Sequence, residues 1–279
     1  MFKAGKHEFP LGKKTYVMGI LNYTPDSFSD GGLHFTPEAA LEHALLMQEQ
    51  GADIIDIGAN STRPGAKVLC AAEETERIMP ALEAVKGRLS AAVSVDTFYP
   101  SCAEAALKAG AEIINDVSGV FNSEMAQLAL KYGAGYIVMH NPCGACEVAE
   151  YPKGVVESVR EFFLDALGLA AESGLPKSNL CLDMGLGFSK SYEDNLELIR
   201  DMQWLKFQGV ALLAAGSRKR FIGAASGEET SSKRDPGTVA AHTAAIAGGA
   251  DIIRAHDVFS AVQGARVADA IYRRCKPNG

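Results

Sequence analysis

The sequence predicts a single-domain α/β fold, a closed (β/α)8 TIM barrel, on three observations. Short apolar β-branched runs alternate with segments of helical spacing about eight times. A helix-turn-strand motif recurs. Polar residues collect just past the apolar runs, where a parallel barrel keeps its active site. At 279 residues with 47% apolar content, the chain can bury one large core, and a barrel of that size is one domain spanning 1–279. Residues 1–14 read as an N-terminal extension leading into strand one.

The recurring motif is Gly51-Ala-Asp-Ile-Ile, Gly110-Ala-Glu-Ile-Ile and Gly249-Ala-Asp-Ile-Ile. A glycine closes a helix because it tolerates the left-handed conformation, and the β-branched pair after it favours a strand. In order, the strands are expected near Val17–Leu21, Ile54–Ile57, Ala92–Val95, Ile113–Asn115, Tyr136–Met139, Leu180–Met184, Val210–Ala214 and Ile252–Arg254. The helices between them are expected over Pro37–Gln50, Ala71–Arg88, Ser101–Ala109, Ser123–Tyr132, Val155–Ser173, Asn195–Lys206, Gly237–Ala247 and Ala261–Arg274. An open doubly wound sheet would call for Gly-x-Gly-x-x-Gly after the first strand. The chain has instead the polar, turn-rich stretch from Asn22 to Gly32, which reads as a long functional loop.

A formal net charge of −7 argues against general affinity for nucleic acid or an anionic membrane, so an anionic small molecule must be met by local cations. No apolar run approaches the roughly 18 residues of a membrane span, and the lysine-bearing N-terminus lacks an apolar signal core. A cytoplasmic protein is expected. Six cysteines spread through a chain this long read as reduced thiols.

The strand-end residues fall into two chemical groups. Asp96, Asn115, Asp183 and Lys219 supply acceptors, an amide and a donor, which suits the edge of a flat heterocycle such as an amino-pyrimidinone. Arg63, Arg254, His256, Thr62 and Ser217 concentrate cations and hydroxyls, which suits an anion such as a phosphate. Asn22 offers an oxygen to Mg²⁺ if a diphosphate brings one. Taken singly, each has a bland reading: Asp96 as a helix cap, Asn115 as a turn residue, Lys219 as a surface charge, Arg254 in a structural salt bridge. Convergence of separate segments on one rim favours function. Pro142-Cys-Gly-Ala-Cys146 imitates half of a zinc-deaminase motif, but the His-x-Glu partner is absent. Gly185-Leu-Gly187 lacks Walker spacing and reads as a tight turn near a ligand.

Gly19-Ile-Leu-Asn-Tyr-Thr-Pro-Asp-Ser-Phe-Ser-Asp-Gly-Gly32, Ser61-Thr-Arg-Pro-Gly65, Ser94-Val-Asp-Thr97, Ile114-Asn-Asp116, Asp183-Met-Gly-Leu-Gly-Phe188, Ser217-Arg-Lys219 and Arg254-Ala-His-Asp257 together resemble the dihydropteroate synthase family along almost the whole chain. That resemblance implies a barrel joining 6-hydroxymethyl-7,8-dihydropterin diphosphate to p-aminobenzoate with release of pyrophosphate, with Mg²⁺ at the leaving group, in a cytoplasmic homodimer. By motif position Asp96, Asn115, Asp183 and Lys219 would hold the pterin, with Met139 and Phe188 lining its pocket. Asn22, Thr62, Arg63, Arg254 and His256 would hold the diphosphate and its metal. The loops carrying Asp26, Phe28 and Asp30 and carrying Thr62 to Pro64 would complete the p-aminobenzoate pocket with Phe188, Ser217 lying near the anion. Lys219, Asp96, Arg254 and His256 are the residues expected to be catalytic. The chain departs from the family's usual pattern at Tyr23, Asn60, Met184, Ala215 and Arg220, where valine, glutamate, proline, glycine and serine are common. The alternatives are a methyltetrahydrofolate-binding methyltransferase barrel serving a corrinoid protein, which has no diphosphate to bind, and a catalytically weak or silent pterin-binding paralog.

Overall fold

Gly51, Gly110 and Gly249 adopt φ of +104°, +109° and +106°, the left-handed turn expected of the repeated motif, and each is followed by a barrel strand. The computed structural model describes residues 1–24, 36–60, 69–143 and 148–274. In chain order the elements are β1 (Phe2–Ala4), β2 (His7–Phe9), β3 (Tyr16–Asn22), α1 (Pro37–Glu49), β4 (Ile54–Gly58), α2 (Ala71–Val85), β5 (Ala92–Asp96), α3 (Pro100–Ala109), β6 (Ile113–Asp116) and α4 (Ser123–Tyr132). They continue with β7 (Gly135–Met139), α5 (Val155–Glu172), β8 (Leu180–Asp183), α6 (Tyr192–Arg200), β9 (Ala211–Ala214), α7 (Arg220–Ser226), α8 (Asp235–Ala247), β10 (Ile252–Ala255) and α9 (Val258–Tyr272). Strands β3 to β10 close into a barrel in sequence order, β10 pairing with β3, and every pairing around it is parallel.

Strand side chains alternate between two faces, so each barrel strand feeds two cores. Outward residues such as Ile55, Val95, Ile114, Val138, Leu182, Leu212 and Ile253 pack with the helices. The inward set, Tyr16, Met18, Ile54, Ala92, Ile113, Ile137, Cys181, Leu213 and Ile252, forms a separate interior cluster. Asp53 and Asp251, the acidic residues of two repeat copies, accept at 3.0 Å from Val17 N–H and Leu212 N–H on the neighbouring strands. Each carboxylate thereby ties a helix-to-strand turn to the strand beside it.

The N-terminal stretch forms an antiparallel hairpin of β1 and β2 whose Phe2, Ala4 and Phe9 join the barrel's interior cluster. The hairpin stoppers the mouth opposite the strand C-termini. Phe2 is fully buried and lies over Gly135, where any Cβ would stand 2.5 Å from the ring.

The structure differs from the sequence reading at several element ends and in three further respects. The helix expected over Asn195–Lys206 is α6 followed by a separate 3₁₀ turn, Met202–Leu205. It starts earlier because Ser191 and Asp194 form a capping box, and it ends where Asp201 leaves helical geometry. Met184, expected within the sixth strand, falls just past β8. Helix α7 was absent from the reading, since seven residues are too few to display a period. Among the described residues, no helix is long and apolar enough to cross a membrane.

Because Phe2 is a buried aromatic plug with no room to collapse around it, Phe2→Ala is expected to destabilise the fold by about 3–5 kcal/mol. Urea unfolding of the variant beside the parent measures this.

Candidate active site

At the C-terminal end the inward-facing positions change from apolar to polar: Asp56 on β4, Ser94 and Asp96 on β5, Asn115 on β6, Asp183 on β8 and Arg254 on β10. They lie beneath and around a cavity of about 870 Å³ whose wall includes Asn22, Asp96, Phe188, Ser217, Lys219, Arg254 and His256. Five strands thus deliver these six residues, of which Asp96, Asn115, Asp183 and Arg254 are ones the sequence places at the rim.

Arg254 is the hub. Its Nε donates to Asp56 Oδ2 at 2.6 Å and its Nη2 to Asp96 Oδ2 at 2.8 Å. The heterocycle group and the anion group of the sequence reading are therefore in direct contact through Arg254 and Asp96. Asn115, Asp183 and Met139 are only 2%, 3% and 1% exposed and sit below the open cavity.

Burial dominates the titration of the set. Asp96 is pushed up to about 7 by desolvation, partly opposed by Arg254, and Asp183 up to about 6 by desolvation, opposed by the Gly185 N–H it accepts at 2.7 Å. Lys219 is pushed down to about 8 by desolvation and then by Arg254. Burial works against the Arg254 charge, but Asp56 and Asp96 outweigh it and raise its pKa. The site thus holds ionisable groups of both signs out of water and has hydrogen-bonding capacity to offer a polar ligand.

Lys219 owes its position to two neighbours. Its Nζ lies 3.9 Å from the centre of the Phe188 ring, a cation-π contact, and its stem crosses Gly187, where a Cβ would come within 2.7 Å. Gly185 and Gly187 both take positive φ, +68° and +77°, so the segment after Asp183 is the tight turn the sequence suggested. Between Ser217 and Lys219, Arg218 takes φ +58° and lies at the cavity wall, where Asp235 holds it. Its Nε and Nη2 each meet Asp235 of α8 at 2.7 Å. This bidentate anchor presents its two neighbours to the site. Ser217 Oγ accepts from the His256 backbone N–H at 3.1 Å and lies 2.9 Å from His256 Nδ1, coupling the ends of β9 and β10.

Phe28, Thr62, Arg63 and Pro64, with Asp26 and Asp30, lie outside the described residues. Asn60, just before the second of these segments, bonds the buried Glu74 of α2 and accepts from Leu69 N–H at 3.1 Å. Asn60 thus bridges Leu69 and Glu74 of α2. Ala215 and Arg220 line the cavity, whereas Tyr23 and Met184 are buried.

Sequence reasoning passed over Asp56 and Lys190. Asp56 had a signal, a carboxylate in mid-strand between isoleucines. Lys190 is 7% exposed and donates to the carbonyls of Phe188 at 3.0 Å and His140 at 3.2 Å, bracing the Phe188 turn. Cys143 is a free exposed thiol, Cys146 lies outside the described residues, and among those described no three His, Cys, Asp or Glu side chains cluster as a metal site.

A parallel barrel whose strand ends gather buried carboxylates, an amide, a lysine and an arginine under one cavity is a barrel enzyme for a small polar, anionic substrate. Residues 18–256 match the family described as pterin binding enzyme. The chain is 42% identical to a Synechocystis dihydropteroate synthase, over 96% of this chain and 94% of the relative. It superposes with TM-score 0.88 on a Clostridium difficile dihydropteroate synthase crystallised with pteroic acid, at 41% identity, covering 95% of this chain and all of that one. With a Xanthomonas albilineans dihydropteroate synthase holding 4-aminobenzoic acid the TM-score is 0.87, at 40% identity over 95% of each chain. The chain belongs to the dihydropteroate synthase family of pterin-binding transferases.

Two tests follow from the geometry. Arg218→Lys removes the bidentate fork while keeping the charge, and steady-state kinetics should show kcat/KM falling about tenfold or more. Asp183 has a folded pKa above its unfolded value, so its contribution to stability is present at low pH and lost as pH rises from about 4 to about 6. Asp183→Asn does not titrate, so its stability relative to the parent should improve over that window by on the order of 2–3 kcal/mol. Urea denaturation at pH 4.5 and 7 reads the difference.

Proposed function

We propose that this chain condenses 6-hydroxymethyl-7,8-dihydropterin diphosphate with p-aminobenzoate to give 7,8-dihydropteroate and pyrophosphate. The carrying observation is the strand-end set itself: Asp96 and Asn115 paired on adjoining strands and Asp183 two strands further on, with Asp96, Lys219 and Arg254 lining the cavity. An amino-pyrimidinone ring offers N–H donors to the carboxylates and a carbonyl to the lysine.

In this reading the bond between the pterin methylene and the diphosphate oxygen breaks, the arylamine nitrogen bonds to the methylene, and that nitrogen loses a proton. Arg254 and His256 hold the diphosphate and favour its departure with the charge it takes away. Phe188 and the Lys219 stem line the ring's slot, and the buried floor keeps water from the methylene. Arg220, on the cavity wall at the start of α7, meets the p-aminobenzoate carboxylate. Asn22, at the end of β3 and on the same wall as Arg254 and His256, offers a hard oxygen. That fits Mg²⁺, which takes few protein ligands and completes its shell with phosphate oxygens and water. Bound there, the ion would neutralise leaving-group charge. A cytoplasmic homodimer completes the proposal, on the family resemblance.

Supplying the pterin diphosphate, Mg²⁺ and p-aminobenzoate and following pyrophosphate and dihydropteroate together tests the reading; pyrophosphate without dihydropteroate would overturn it. Arg220→Ala is expected to raise the KM for p-aminobenzoate about tenfold, the worth of one charged hydrogen bond, with little change for the pterin substrate. Equal effects on both would remove Arg220 from the arylamine end.

A further inference from the structure

Asp56 is fully buried in the middle of β4 and has no place in the functional reading above. A carboxylate among isoleucines, shielded from water, is costly unless its neighbours require it. Its Oδ2 takes two donors, Arg254 Nε at 2.6 Å and Asn115 Nδ2 at 3.0 Å. The second bond has a consequence for the ligand. Asn115 carries one donor group and one acceptor on the same planar amide, and a carboxylate can engage only the donor. With the NH₂ bonded to Asp56, Asn115 Oδ1 is the atom of the amide left buried and without a hydrogen-bond partner.

We infer that Asp56 is a positioning residue that fixes Asn115 as an acceptor toward the ligand, so that Asp96, Asn115 and Asp183 together select a heterocycle edge rich in N–H donors. The inference rests on the pterin reading of this site and deepens it. Without Asp56 the Asn115 amide could present either end, and an edge offering acceptors would compete. The same Oδ2 keeps hold of Arg254 when a ligand takes the Asp96 edge, so the guanidinium leaves one carboxylate without losing both. Asp56 touches no reacting atom in this scheme; it acts through Asn115 and Arg254.

The test is a double-mutant cycle on the full chain, with 6-hydroxymethyl-7,8-dihydropterin as the probe and calorimetry as the readout. Asp56→Leu removes both acceptors, and it should weaken binding about tenfold in the parent but less than about threefold in an Asn115→Ala background, where there is no amide left to orient. A merely structural role would lower the melting temperature and weaken binding alike in both backgrounds. Asp56→Asn keeps volume and halves the strength of the Asn115 bond; it should cost about threefold in the parent and nothing measurable in Asn115→Ala, and it carries the test where the leucine variant does not fold. Penalties equal in the two backgrounds, or no penalty in a folded variant, would overturn the inference. A structure of the parent with the dihydropterin bound needs no variant: Asn115 Nδ2 should remain on Asp56, with Oδ1 accepting a ligand N–H, and a flipped amide would contradict the assignment. If the parent fails to bind the dihydropterin, the functional reading falls; if it binds and the cycle is additive, the role of Asp56 alone falls.

Discussion

Everything at the top of this barrel is arranged around one buried guanidinium. Arg254 reaches inward from β10 and is held by carboxylates from β4 and β5, so the last strand of the barrel shares a single charge network with two of its earliest. Such a network is costly to break, because removing either partner leaves a charge stranded out of water. Its presence explains why the barrel interior can be apolar below and charged above without the two layers mixing. The lower layer is closed by the N-terminal hairpin, and the upper layer is closed by its own ion pairs.

This arrangement also sets the titration of the site. The carboxylates Asp96 and Asp183 are pushed toward protonation by burial while Lys219 is pushed toward neutrality. A site that spends folding stability in this way is poised to regain it when a ligand supplies matched donors and charge. The rigidity needed to hold that poise comes from side chains tied to other parts of the fold: Arg218 on Asp235, Lys190 under the Phe188 turn, Ser217 on His256, and Asp56 on Asn115. Each bonds a site residue or its turn to a different element, so the geometry is fixed by several short ties rather than by one loop.

The sequence by itself determined the barrel and most of the rim. The glycine before each repeated Ile-Ile pair, the apolar runs and the polar residues just beyond them are local signals, and local physics sufficed to read them. Only the tertiary structure decided which rim residues touch. That Arg254 belongs to Asp96 and Asp56 as much as to any anion follows from the closure of β10 onto β3, which brings residues 198 positions apart into contact. The role of Asp56 was invisible for the same reason: a charge in mid-strand declares that it has partners, but Asn115 and Arg254 become those partners only when the barrel closes.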